Sequence, residues 1–171
     1  MKTNNSQWLK PVLALIQKYA PNTYEAMVNC DDWNVNAVTT YADLLPIMEA
    51  FNDSPQEMHY VFDRFNHALG CTFCNLKDNL VPWDGPDELK NTTWMNHKRI
   101  MMNSTDGHVN PVRLAASVLV HEWTHRRGYG EKEAYATAAR FARSMGEEEI
   151  ARAQERTWRR VQYEEMMGAY A

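Results

Sequence analysis

Apolar residues recur three and four positions apart along most of the chain, which predicts a largely helical protein. In the first part of the sequence this spacing predicts helices over residues 6–20, 22–30, 41–51 and 55–69. Residues that cap or break helices bound these segments: Ser6 is a plausible N-cap, Pro21 ends the first helix, and Gly70 ends the last. Residues 1–95 are therefore predicted to form a helical lobe that ends in a loop.

The segment from 75 to 103 does not follow helical spacing. Residues 75–95 contain Pro82, Gly85 and Pro86 and predict an irregular loop, which Trp83 and Trp94 would attach to the body of the protein. Residues 96–103, in particular the run Lys98–Asn103, are the best strand candidate in the chain.

A helix that is apolar on nearly every side follows the turn-rich linker 104–111. It includes Leu114, Val118 and Leu119 and extends to His125, and such a helix is usually buried. Two more helices are predicted over 131–145 and 147–167, separated by Gly146. The expected fold is α+β and mostly helical, with a small sheet edge strand before the buried helix and other helices packed around it.

The buried helix carries the sequence His121-Glu122-Trp123-Thr124-His125, which matches the pattern H-E-x-x-H. Residues four apart lie one turn apart on the same face, so both histidines can bind one Zn²⁺ ion. Glu122 lies about 100° around the helix, beside the metal, where it can act as the general base on a zinc-bound water. A catalytic zinc usually needs a third protein ligand.

The residues after the motif resemble the zincin metallopeptidases. The sequence from 121 to 131 is H-E-W-T-H-R-R-G-Y-G-E, which is similar to the metzincin pattern H-E-x-x-H-x-x-G-x-x-H/D except that glutamate stands at the last position. This resemblance implies that Glu131 is the third zinc ligand and that Gly128 allows the chain to turn.

A second resemblance is to the gluzincins, in which a second helix supplies a glutamate in the pattern E-x-x-A/S-D. Glu131-x-x-Ala134 fits that pattern with Tyr135 in place of the aspartate, and Glu133-x-x-Ala136 fits it as well. Glu133 therefore stays open as an alternative metal ligand, although the metzincin-like spacing favours Glu131.

The resemblance implies a single metallopeptidase domain over residues 1–171, in which 96–171 contain the strand, the active-site helix and the C-terminal helices. The expected activity is hydrolysis of peptide bonds in a protein or peptide substrate. Tyr129, Tyr135 and His108 are candidates to stabilise the oxyanion. The alternative is a zincin-fold regulatory or interaction protein that binds metal without catalysis.

Composition is ordinary for a globular protein, with 44% hydrophobic and 23% charged residues in 171. The net charge of −4 gives no reason to expect nucleic acid or an anionic membrane as a partner, and no stretch is long enough to span a membrane. The polar N-terminus lacks a signal-peptide core, which predicts synthesis in the cytoplasm and leaves export of an effector-like protein open. The oligomeric state is left open.

The three cysteines, Cys30, Cys71 and Cys74, are an odd number and do not suggest a disulfide scaffold. Cys71 and Cys74 form C-x-x-C with His67 upstream, and a structural zinc site is one interpretation of this spacing. Ordinary thiols or a local disulfide are favoured, because a second ligand pair is missing from the sequence.

Overall fold

A computed structural model of the chain describes residues 1–4, 6–51, 63, 66–75 and 82–169. These residues are mostly helical with one small sheet, which confirms the predicted α+β class. The strands are β1 (Lys2–Thr3), β2 (Asn34–Val38), β3 (Gly70–Phe73) and β4 (Thr92–Asn96). The α-helices are α1 (Ser6–Tyr19), α2 (Pro21–Val28), α3 (Leu45–Ala50), α4 (His97–Asp106), α5 (Pro111–Arg126), α6 (Glu131–Ser144) and α7 (Glu148–Ala169), and short 3₁₀ turns cover Tyr41–Leu44 and Asp87–Leu89.

The four strands lie in the order β1-β2-β4-β3. The pairs β1–β2 and β2–β4 are parallel, whereas β3 is antiparallel to β4. This order makes β4 a central strand and puts β3 at one edge of the sheet. The register places Cys71 opposite Trp94 and Thr72 opposite Thr93.

The strand predicted over residues 96–103 is wrong beyond its first residue, because Asn96 ends β4 and residues 97–103 lie in α4. The side chain of Asn96 accepts a hydrogen bond from the backbone N–H of Arg99 and caps the helix. Ile100 is buried while Met101 and Met102 are exposed, so the apolar run does not alternate between two faces as a half-buried strand would.

Strand β4 lies instead at the end of the segment 75–95, for which the sequence predicted an irregular loop. All five residues of β4 are buried, because this central strand is covered on both faces. Its sequence, Thr-Thr-Trp-Met-Asn, consequently shows no alternation of polar and apolar residues.

The helix predicted over 41–51 divides into a 3₁₀ turn and α3, and Pro46 lies in the first turn of α3. The helix predicted over 55–69 falls largely outside the described residues.

Helix α5 is the buried centre of the fold. Every residue from Leu114 to His125 is buried, as the apolar pattern predicted. The side chain of Asn110 accepts hydrogen bonds from the backbone of Val112 and Arg113 and fixes the start of the helix, with Pro111 in its first turn.

Helix α6 packs against α5 through small side chains. Ala134, Ala138 and Ala142 are four residues apart and fully buried, so the axes of the two helices can lie close together. The turn between the helices contains Gly128 with a φ of 94°, a left-handed conformation that favours glycine. This tight connection brings the first residue of α6 beside the last turn of α5. Among the described residues, no helix has the length and apolar character needed to cross a bilayer.

Candidate metal centre

The last two turns of α5 direct the two motif histidines to one point. The Nε2 atoms of His121 and His125 lie 3.1 Å apart. Nδ1 of His125 lies 2.9 Å from the backbone oxygen of Tyr129, which can only accept, so this nitrogen is the donor. In a neutral imidazole that bond leaves Nε2 with a free lone pair, as a metal ligand requires.

Glu131 begins α6 and completes a group of three. Its Oε1 lies 3.3 Å from Nε2 of His125 and its Oε2 lies 3.4 Å from Nε2 of His121. The turn brings it there through hydrogen bonds from Gly128 N to His125 O and from Tyr129 N to Thr124 O. One ligand atom from each of the three residues lies within 4.8 Å of the others.

The spacing and chemistry of this group fit a tetrahedral metal ion. Zinc bonds of about 2.0–2.2 Å at tetrahedral angles place neighbouring ligand atoms about 3.3 Å apart. The two Nε2 atoms lie 3.1 Å apart, and each of them lies 3.3 or 3.4 Å from a different carboxylate oxygen of Glu131. Two imidazole nitrogens and one carboxylate oxygen are a donor set that zinc accepts, and they leave the fourth position open.

The electrostatics of the group favour a positive charge. Burial lowers the pKa of His125. Its hydrogen bond to Glu131 and the negative charges of Glu122 and Glu131 outweigh this effect and raise the pKa to about 9. Burial raises the pKa of Glu131, yet hydrogen bonds from His121 and His125 hold it well below its usual range. The metal-free protein therefore holds a proton on His125 where a cation could bind.

Glu122 lies outside the group of three and faces the sheet. Its side chain is almost fully buried, and its Oε2 accepts a hydrogen bond of 2.6 Å from the Thr72 hydroxyl of β3. A Cβ atom at Gly70 would lie only 2.8 Å from Oε1 of Glu122, so the carboxylate packs directly against the backbone of this strand. β3 thus fixes the position of the residue next to the first histidine.

The other predicted site residues do not belong to the group of three, and only some of them contact it. Glu133 is exposed on α6 and does not belong to the group. The ring of Tyr129 is exposed beside the Arg127 guanidinium, and only the backbone oxygen of Tyr129 contacts a histidine. The ring of Tyr135 packs edge-on against the ring of His121, with centroids 4.5 Å apart. His108 is exposed at the end of α4.

The cysteines do not form a second metal group within the part of the chain that the structure describes. Cys30, Cys71 and Cys74 form no disulfide bond within the described residues. Cys74 donates a hydrogen bond to the backbone oxygen of His125 at 3.0 Å, and burial raises its pKa to about 11. It is a neutral thiol that contacts the end of α5.

The group of three and Glu122 open onto a cleft of about 1150 Å³. β3 and the segment around Trp83 line one side, and residues of α7, including Gln154 and Thr157, line another. Tyr135 also lines this cleft. The group of three is therefore accessible to a ligand that is much larger than water.

Comparison with protein-family models, curated proteins and solved structures gives no match. The case for a metal centre thus rests on the sequence from His121 to Glu131 and on the geometry of these side chains.

Sequence reasoning missed Gly70 and Thr72 as neighbours of Glu122. They lie about 50 residues before the motif in a four-residue strand. Threonine at position 72 has the β-branched side chain that strands favour, but this signal is too short to distinguish a strand from the end of a helix.

Proposed function

We propose that this protein is a zinc-dependent metallopeptidase. One observation carries the proposal: three side chains that could hold a metal ion converge, while the carboxylate of Glu122, next to His121 on α5, stays outside the group and lines the same cleft. In a purely structural metal site such a carboxylate would have no chemical role, whereas hydrolysis needs a general base beside the metal.

His121, His125 and Glu131 would hold the zinc ion. When bound, zinc supplies a Lewis acid that polarises the scissile carbonyl and lowers the pKa of water. Glu122 takes a proton from the attacking water and then donates it to the leaving amine. Tyr135 is the better placed of the two tyrosines to stabilise the oxyanion, because its ring lies against His121 and it lines the cleft.

An extended peptide is the substrate that suits the cleft. β3 pairs with β4 on one side and has no strand on its other side among the described residues. All four of its residues line the cleft. A peptide could add to this edge by backbone hydrogen bonds, so we propose β3 as the substrate-binding strand.

Peptide-library profiling tests this function. The zinc-loaded protein is incubated with a library of peptides from a digested proteome, and new termini are identified by mass spectrometry. We expect cleavage that a chelator abolishes and added zinc restores. A library that stays intact with the fully zinc-loaded protein would contradict the proposal and favour a non-catalytic metal-binding role.

Zinc binding is expected to release protons at neutral pH. The pKa of His125 is about 9 in the metal-free protein, so its imidazole carries a proton at pH 7 that zinc must displace. We expect release of about one proton from His125 at pH 7, and an apparent affinity that rises about tenfold per pH unit up to about pH 9. Calorimetric titrations with zinc in two buffers of different ionisation enthalpy measure the number of protons released. Identical heats in both buffers would contradict the release of a proton.

A further inference from the structure

A line of hydrogen bonds connects the core of the sheet with Glu122. The indole Nε1 of Trp33 lies 2.9 Å from Oγ1 of Thr93, which lies 2.7 Å from Oγ1 of Thr72. Oγ1 of Thr72 in turn lies 2.6 Å from Oε2 of Glu122. Trp33 and Thr93 are fully buried, so water does not compete for the bond between them.

The chemistry of the two end groups fixes the direction of every bond in the line. The indole N–H can only donate, so Thr93 accepts from Trp33. The ionised carboxylate can only accept, so the single hydroxyl proton of Thr72 goes to Glu122. Thr93 must therefore donate its own proton to Thr72. Each hydroxyl accepts one of these bonds and donates the next, so all three bonds run from donor to acceptor in the direction of the carboxylate.

The fold explains why these residues meet. β3 and β4 place Thr72 directly opposite Thr93, and side chains opposite each other in an antiparallel pair lie on the same face of the sheet. Gly70 lies two residues before Thr72, and therefore on the same face. Because Gly70 has no side chain, Glu122 can enter this face and reach the Thr72 hydroxyl.

We propose that Thr72 is the positioning residue of the general base, supported by Thr93 and Trp33. This inference rests on the proposed hydrolytic function. The hydroxyl of Thr72 donates a hydrogen bond to Oε2 of Glu122, and this bond prevents rotation of the carboxylate. Among the described residues, none donates a hydrogen bond to Oε1, and this oxygen is the one that receives the proton of the attacking water.

Three variants test the role of Thr72. Thr72→Val keeps the shape and removes the donor, Thr72→Ser keeps the hydroxyl, and Thr93→Val removes the support of that hydroxyl. With a peptide found by library profiling as the probe, Thr72→Val should lower kcat by about ten- to a hundredfold with KM unchanged. Thr72→Ser should stay within about threefold of the wild type, and Thr93→Val should lie between the two.

Thr92→Val is the matched control. Thr92 is also a buried threonine of β4, but its hydroxyl donates to the backbone oxygen of Lys90 and does not belong to the line. We expect its kcat and zinc content to equal those of the wild type. Wild-type kcat in zinc-loaded Thr72→Val, or an equal loss in Thr72→Ser, would overturn the positioning role.

Infrared spectra separate this inference from the proposed function, because they need no substrate. In protein labelled with ¹³C-glutamate, the carboxylate stretch of Glu122 is the band that Glu122→Gln removes. We expect Thr72→Val to shift that band and Thr72→Ser and Thr92→Val to leave it in place. An unshifted band in Thr72→Val overturns the inference even if the protein hydrolyses peptides. A shifted band in a protein without peptidase activity supports the contact and refutes only the function.

Discussion

Replacing Glu122 with glutamine is expected to remove most of the peptide hydrolysis and leave zinc bound. Glutamine has the same shape and can still accept a hydrogen bond from Thr72, but it cannot take a proton from water. The loss in kcat/KM should be about 10²- to 10⁴-fold, which is the usual contribution of a general base. Zinc content should not change, because Glu122 is not one of the three converging residues.

Glu133→Gln is the control for this variant. It makes the same chemical change at an exposed glutamate of α6 and should have wild-type activity. Rates are measured on a cleaved peptide at equal zinc loading. Full activity in Glu122→Gln would show that Glu122 is not the base and would refute the mechanism.

Replacing Glu131 with alanine is expected to cause the largest loss of zinc affinity among variants of α6. Its two carboxylate oxygens lie 3.3 and 3.4 Å from the histidine Nε2 atoms, and its removal leaves only two protein ligands. Changes next to the ligands of a metal site typically cost 10- to 100-fold in affinity, so loss of a ligand itself should exceed about a hundredfold. Competition with a chromogenic chelator measures the affinity.

Glu133→Ala distinguishes the two glutamates that the sequence left open. We expect its zinc affinity to equal that of the wild type. If Glu133→Ala loses zinc while Glu131→Ala retains it, the assignment of the third ligand is reversed. Equal affinity in both variants and the wild type would mean that neither glutamate binds the metal.

The sequence predicted the part of the candidate site that depends on local spacing. His121 and His125 are one helical turn apart, and the apolar residues before them predicted a buried helix, as α5 shows. The resemblance implied that Gly128 lets the chain turn after that helix, and Gly128 has the left-handed conformation that such a turn requires.

The sequence favoured Glu131 over Glu133 as the third ligand but could not decide between them. Two residues along a helix differ by about 200° in direction, so only one of them can face the histidines. Which one does so depends on the rotation of α6 about its axis. Packing sets that rotation, since Ala134, Ala138 and Ala142 face inward and Glu133 is exposed.

The sheet was the least predictable part of the fold. Its strands have two to five residues, and β4 is buried on both faces, so neither length nor alternation distinguishes them. The contacts of Gly70 and Thr72 with Glu122 depend on this sheet. They arise from pairing between distant segments and left no local pattern in the sequence.

Elemental analysis of the purified protein, wild type beside His121→Ala, tests the central claim most directly. After incubation with zinc and removal of the excess, the account predicts about one zinc ion per wild-type chain and a loss of this ion in the variant. Loss of zinc in the variant with unchanged helical content would show that His121 binds the metal. Absence of zinc from the fully folded wild-type protein, even after incubation with excess metal, would contradict the metal centre and the peptidase function that depends on it.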